Sequence, residues 1–229
     1  MKKLIWIVLI GLLNFVFLMG YKSYNDEDLI NKFVVSLEGK PEEYGMKIEF
    51  QNVEEDRISE IYEDIDKILI KYEKINKDAD VEENKDIKFI NKKEDGIELK
   101  ALVNKSEKVG YIEVKFNIES IMEKEKIEKE VLRNVERERS AKVYKYVKAK
   151  VEDDSLEECK THIEELLVSE KNLNIDIKFT DFGVIGTALT NKASKNGNSP
   201  GCVDINFAVM RYTSGTYLIV GTPIIYNAY

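Results

Sequence analysis

The sequence predicts an α+β fold: a duplicated strand-helix-strands unit, mostly antiparallel sheets with helices on one face, and a hydrophobic helix in front. Three observations predict it. Segments with apolar residues at every second position alternate with segments that repeat at three and four. Their order begins again near residue 141. The residues ahead of both units form an apolar run behind a lysine pair. Of the 229 residues 43% are hydrophobic and 34% charged, a composition able to bury a core. The expected organisation is residues 1–22 as signal peptide or membrane anchor, 26–140 as the first αβ repeat and 141–229 as the second.

Lys2 and Lys3 precede an apolar run from Leu4 to Gly20, broken only by Asn14. A charged start followed by such a run is an export signal. As a helix the run rises about 25 Å, just under the roughly 30 Å hydrocarbon core of a bilayer. Leu18 stands where a cleavable signal needs a small residue, so a cleaved signal and an uncleaved anchor both stay open. Lys2 and Lys3 belong on the cytoplasmic side, which puts the rest of the chain outside.

Residues 26 to 38 read as a helix with Leu29, Ile30, Phe33 and Leu37 on one side, ended by Gly39 and Pro41. Met46 to Phe50 alternate, predicting a strand with one buried face. Asp56 is placed to cap a helix in which Ile58, Ile61, Tyr62, Ile65, Ile68, Leu69 and Tyr72 form a strong stripe. Residues 76 to 86 are polar and read as a loop. Three alternating segments follow, at 87–91, 97–103 and 111–118, separated by turn chemistry at Asp95-Gly96 and at 106–110. A charged helix over 120–138 carries Ile127, Val131, Leu132 and Val135 as its stripe.

In the second unit Val143, Val147, Ala149 and Val151 alternate with Tyr144, Tyr146, Lys148 and Lys150, a strand. Ser155 and Glu158 form a capping box ahead of a helix to Val168. Strands are expected over 175–179, 184–190, 203–212 and 216–225, the last two joined through Thr213-Ser214-Gly215. Each unit alone would make a marginal domain, so the two should share a sheet or pack closely.

The strand Tyr144-Lys145-Tyr146-Val147-Lys148-Ala149-Lys150 and the stretch from Tyr212 to Pro223 resemble the YwmB-like family. The resemblance covers residues 26 to 229, with its specificity in the last third. It implies an exported protein with a duplicated fold of the TATA-box-binding-protein type. The family has no established activity, so the resemblance brings a fold and an address but no catalytic residue.

The charge argues against nucleic acid as partner. Beyond residue 20 the chain carries 33 basic and 43 acidic side chains, and duplex binding draws most of its affinity from neutralised phosphates. One histidine, His162, and two cysteines exclude multi-histidine and cysteine-based metal sites, and no cofactor motif is present. Gly197-Asn198-Ser199-Pro200-Gly201 has the spacing of a serine-hydrolase elbow, but Pro200 has no N–H for an oxyanion. Outside the cell Cys159 and Cys202 are able to pair, yet the helical pattern around Cys159 favours a small buried side chain over either a disulfide or a pair with His162. No catalytic residue is assigned.

What remains is a surface. Outward strand positions of the first unit are ordinary charges: Lys47, Glu98, Lys100, Glu113 and Lys115. Those of the second include Tyr144, Tyr146, Lys148, Lys150, Asn206, Met210, Tyr212 and Tyr217, a mixture suited to recognition because tyrosine buries area and keeps a polar tip. Cover from elsewhere in the chain is the competing account of the same positions. The leading expectation is a non-catalytic binding or assembly module, extracytoplasmic and membrane-anchored or secreted, that meets an envelope protein or cell-wall component. The alternatives are an enzyme using carboxylates in a cleft between the repeats, and nucleic-acid binding by fold analogy.

Overall fold

The computed structural model describes residues 26–73, 78–94, 96–117, 121–135, 141–152, 155–190, 203–223 and 225. The expected signal or anchor, the 197–201 motif and Cys202 lie outside the described residues.

The described residues form four helices and ten strands, in the order α1 (Asp26–Ser36), β1 (Lys40–Gln51), α2 (Glu55–Glu73), β2 (Asp80–Glu83), β3 (Ile87–Glu94), β4 (Ile97–Asn104), β5 (Val109–Asn117), α3 (Ile121–Val135), β6 (Lys142–Val151), α4 (Leu156–Ser169), β7 (Leu173–Thr180), β8 (Gly183–Leu189), β9 (Ile205–Tyr212) and β10 (Gly215–Thr222). All ten strands form a single antiparallel sheet, ordered β2-β3-β4-β5-β1-β6-β10-β9-β8-β7. The fold is therefore mixed α+β with one large sheet. Its two halves meet at a seam between β1 and β6, where Lys40 to Glu49 pair antiparallel with Lys142 to Lys150 across a bulge at Pro41/Glu43.

Alternation along each strand divides the sheet into two faces. One carries Tyr44, Met46, Ile48 and Phe50 of β1, Leu99 and Ala101 of β4, Ile112 and Val114 of β5, Val147 and Ala149 of β6, and Leu218 and Val220 of β10, all buried. The helices pack here. α2 lies on β4 and β5 beside α3, and α1 lies on β6 and β10 beside α4. Buried residues of all four helices and of both halves of the sheet join one continuous hydrophobic core.

The helices form where their stripes and caps dictate. α2 buries Ile58, Ile61, Tyr62, Ile65, Ile68 and Leu69, with Glu55 and Asp56 in its first turn and Lys71 in its last, each favourable to the helix dipole. α4 opens with the expected capping box: Glu158 N–H donates to Ser155 Oγ at 3.1 Å and Ser155 N–H to Glu158 Oε2 at 3.0 Å. Gly186 of β8 holds α1 in place, because a Cβ there would meet the Phe207 ring at 2.3 Å. With that space free, Phe207 reaches Phe33 of α1 at 5.1 Å between ring centroids. On the first half Lys92 of β3, only 6% exposed, places its ammonium 2.7 and 3.0 Å from the Asp66 carboxylate of α2.

The structure differs from the sequence expectations at several boundaries. β1 begins six residues before Met46. Residues 80–83 form an edge strand where a loop is expected. β10 stops at Thr222 rather than Ile225, ahead of Pro223, which has no N–H to continue a ladder. Asp56 lies inside the first turn of α2 rather than capping it.

Candidate recognition face

Among the described residues no helix packs against the opposite face of the sheet, and the strand positions expected to point outward lie on it. On β6 these are Tyr144, Tyr146, Lys148 and Lys150, interleaved with the core residues Val143, Val147, Ala149 and Val151. The register builds cross-strand rows. Lys150 stands opposite Tyr217, which stands opposite Met210. Lys148 stands opposite Ile219, and Ile219 opposite Ala208. Tyr146 stands opposite Gly221, and Gly221 opposite Asn206. Tyr212 closes the group opposite Gly215.

All eight expected positions thus share one face of β6, β10 and β9, but they are not equally accessible. Tyr146 is 1% exposed and Tyr217 7%, so neither offers a free ring to a partner. Tyr146 lies in register between two glycines, Gly45 of β1 and Gly221 of β10, and its hydroxyl donates to Glu43. Tyr144, Lys148, Asn206 and Met210 are half-buried, while Lys150 and Tyr212 are exposed. The Lys148 ammonium sits 4.6 Å from the centroid of the Tyr217 ring and 5.9 Å from that of Tyr212. The two rings meet edge to face at 5.7 Å, so a cation and two aromatic rings form one preassembled group.

Ile225, beyond β10, lies against this face. Ile225 N–H donates to Asn206 Oδ1 at 2.5 Å, and a Cβ on Gly221 would meet the Ile225 side chain at 3.0 Å. Asn206 therefore spends its carbonyl within the chain.

Sequence reasoning expected a shared sheet or close packing but did not place the seam. Its outward residues on β1 are Glu43, Gly45, Lys47 and Glu49, opposite Lys148, Tyr146, Tyr144 and Lys142. Lys47 Nζ lies 2.7 Å from Glu49 Oε1 and 4.7 Å from the centroid of the Tyr111 ring, and Tyr144 donates its hydroxyl to Glu49 at 3.0 Å. Burial pushes the Glu49 carboxyl up, but hydrogen bonds from Lys47 and Tyr144, with the charges of Lys47 and Lys142, outweigh it and hold it below its ordinary value. The Tyr144 phenol is raised, first by burial and then by its bond to Glu49. The signal for the seam was the alternation Glu43-Gly45-Lys47-Glu49, hidden because its apolar complement begins only at Tyr44.

Towards β4 the face becomes a lattice of paired charges. Lys100 lies 2.8 Å from Glu98 and Lys115 lies 3.2 Å from Glu113, while across strands Lys100 faces Glu113 and Glu98 faces Lys115.

On the other side of the sheet Cys159 is fully buried and His162 is exposed, so the helix does not present them together to solvent. Among the described residues no group of three or more His, Cys, Asp or Glu side chains is placed to hold a metal ion. No described helix is long and apolar enough to cross a membrane. No protein-family model matches the chain, and no curated protein matches it.

Proposed function

We propose that this chain is an exported, membrane-tethered binding or assembly module, non-catalytic, whose partner is an envelope protein or cell-wall component. The docking surface is the helix-free face of β6, β9 and β10, centred on Tyr212, Lys148 and Lys150 with Tyr144 at its margin. The observation that carries the reading is the Tyr212–Lys148–Tyr217 group: an aromatic and cationic surface already ordered before contact, with Tyr146 and Tyr217 as its buried footing. The address rests on the lysine pair and apolar run of the first twenty residues.

The finer architecture belongs to the same proposal. From each edge inward the strands run β2-β3-β4-β5-β1 and β7-β8-β9-β10-β6, and in each half a strand at the seam leads into a helix and then a four-strand meander. That correspondence supports a duplicated unit of the TATA-box-binding-protein type, and with it the resemblance to the YwmB-like family. It does not bring DNA binding along, since a fold alone carries no function. The lysines Lys47, Lys100 and Lys115 each have a carboxylate beside them, which leaves them poorly placed to neutralise phosphates. The seam carboxylates Glu43 and Glu49 each accept a tyrosine hydroxyl from the paired strand β6, so nothing there favours the carboxylate enzyme.

The test places a photoreactive phenylalanine analogue at position 212 of the full chain in the producing cells, and in a second strain at Lys67, on α2. Ultraviolet light should give discrete adducts with an envelope protein or wall fragment from position 212 and none from position 67. Absence of an adduct at 212, or equal capture from both, overturns the docking surface. Resistance of the chain to protease added outside protoplasts overturns the export.

A further inference from the structure

The two edges of the sheet differ in a way that points to a second copy of this chain. One edge is β2, four residues long with the sequence Asp80-Val81-Glu82-Glu83. Paired antiparallel with itself, each of its positions would meet an acid or be one, and like charges directly opposite are unfavourable. Short, charged edge strands are how sheets avoid such pairing.

The other edge, β7, is eight residues long and largely exposed, with Leu173 49% and Phe179 51% accessible. It pairs with β8 through a two-residue turn at Asp181-Phe182, with Thr180 opposite Gly183. A two-residue hairpin makes that closing pair a hydrogen-bonded one, so the pairs that alternate with it along the ladder, Lys178 with Ile185 and Asp176 with Thr187, are hydrogen-bonded too. The backbone groups of Ile177 and Phe179 therefore point out from the sheet, towards an incoming strand; beyond Asp176 the ladder shifts register, and Asn174 takes a φ of 49°.

We infer that β7 pairs antiparallel with β7 of a second copy about a twofold axis at Ile177, joining two sheets into one. The sequence Ile175-Asp176-Ile177-Lys178-Phe179 is self-complementary in that register. Ile177 meets its own copy. Asp176 meets Lys178 on the helix-free face, twice by symmetry. Ile175 meets Phe179 on the helix side, also twice. The outward N–H and C=O of Ile177 fall in the hydrogen-bonded position that this register requires. A twofold contact of this kind closes on itself, so the product is a dimer and not a fibre.

The experiment is sedimentation equilibrium of the full chain in density-matched detergent micelles over a dilution series. The wild type is expected to be a dimer that dissociates on dilution. Ile177→Pro removes the outward donor and blocks an incoming strand while leaving the bonds to β8, so it should be monomeric. Asp176→Lys sets lysine against lysine twice and should weaken the dimer by at least about tenfold. Asp176→Lys with Lys178→Asp restores opposite charges and should restore the dimer. The reversal is harmless to the monomer, because the Asp176–Lys178 pair within the strand is exposed. A wild type that stays monomeric, a dimer indifferent to Ile177→Pro, failure of the double reversal to rescue, or open-ended polymers in place of a dimer each overturns the proposal.

Discussion

At the scale of single residues, the seam on the helix-free face is organised by how the Glu49 charge is neutralised. Glu49 is held in its charged form by Lys47 and Tyr144 despite partial burial. A carboxyl whose folded value lies below its unfolded one adds stability above the unfolded value, and loses it as pH falls through the folded one. The wild type should thus lose stability on acidification from about pH 5 downwards, the ordinary carboxylate range marking the start. Glu49→Gln should flatten that limb, and Tyr144→Phe, which removes one of the bonds and so raises the folded value, should make it shorter and end it at a higher pH. Urea midpoints measured against pH check both. An unchanged acid limb in Glu49→Gln would remove Glu49 from the account. The same scale shows what alternation reveals and what it hides. Tyr144, Tyr146, Tyr212 and Tyr217 were legible as residues of one face, because strand parity fixes the side to which each points. Parity is silent on cover. Tyr146 is buried beside Gly45 and Gly221, two strands that are distant in sequence, and only the register brings them together.

At the scale of elements, strong periodicity located helices and strands, and local chemistry located some of their ends. The capping box of α4 is the clearest case, since Ser155 and Glu158 lie three apart and bond reciprocally. Ser155→Ala should cost about 1 kcal/mol in chemical denaturation. The Glu158 carboxyl is held below its ordinary value by the Ser155 backbone N–H and then by its side chain, so its half of the box is lost only as pH falls through that lowered value. The measured cost of Ser155→Ala should shrink in acid; a cost independent of pH would separate the two halves of the box. The end of α1 was legible for a different reason from the one the residue type announces. Gly39 follows the helix, but the left-handed turn is taken by Glu38, with φ of 50°. Gly39 is needed for space, as a Cβ there would come within 3.2 Å of both the Ala149 side chain and the Val34 carbonyl. β2 was missed because an edge strand of three acids and a valine has neither a buried face nor an alternating pattern. It is a strand only because β3 supplies its ladder.

At the scale of the whole molecule, the decisive fact is that the halves share one ladder and one core. β1 and β6 pair along their length, and Met46 and Ile48 of β1 sit opposite Lys145 and Val143 of β6, under helices from both halves. Two expected repeats predicted a shared sheet or close packing; the register that joins them is non-local and has no signature within either unit. Lys145 shows how closely the seam is tied to the helix layer, since its ammonium pairs with the buried Glu128 of α3, the helix that ends the first half. Such a molecule should unfold as a unit rather than half by half. Ile48 has no exposed surface, so Ile48→Ala should cost about 3 kcal/mol by lost transfer energy and the cavity left behind. If the seam couples the halves, that loss is felt at both far ends of the sheet. Amides of β4 and of β9 that exchange only by global opening should then lose protection by the same factor, read by hydrogen exchange and mass spectrometry. A fall confined to β1, β4 and β5, with β9 and β10 untouched, would mean two independently folding halves that merely touch.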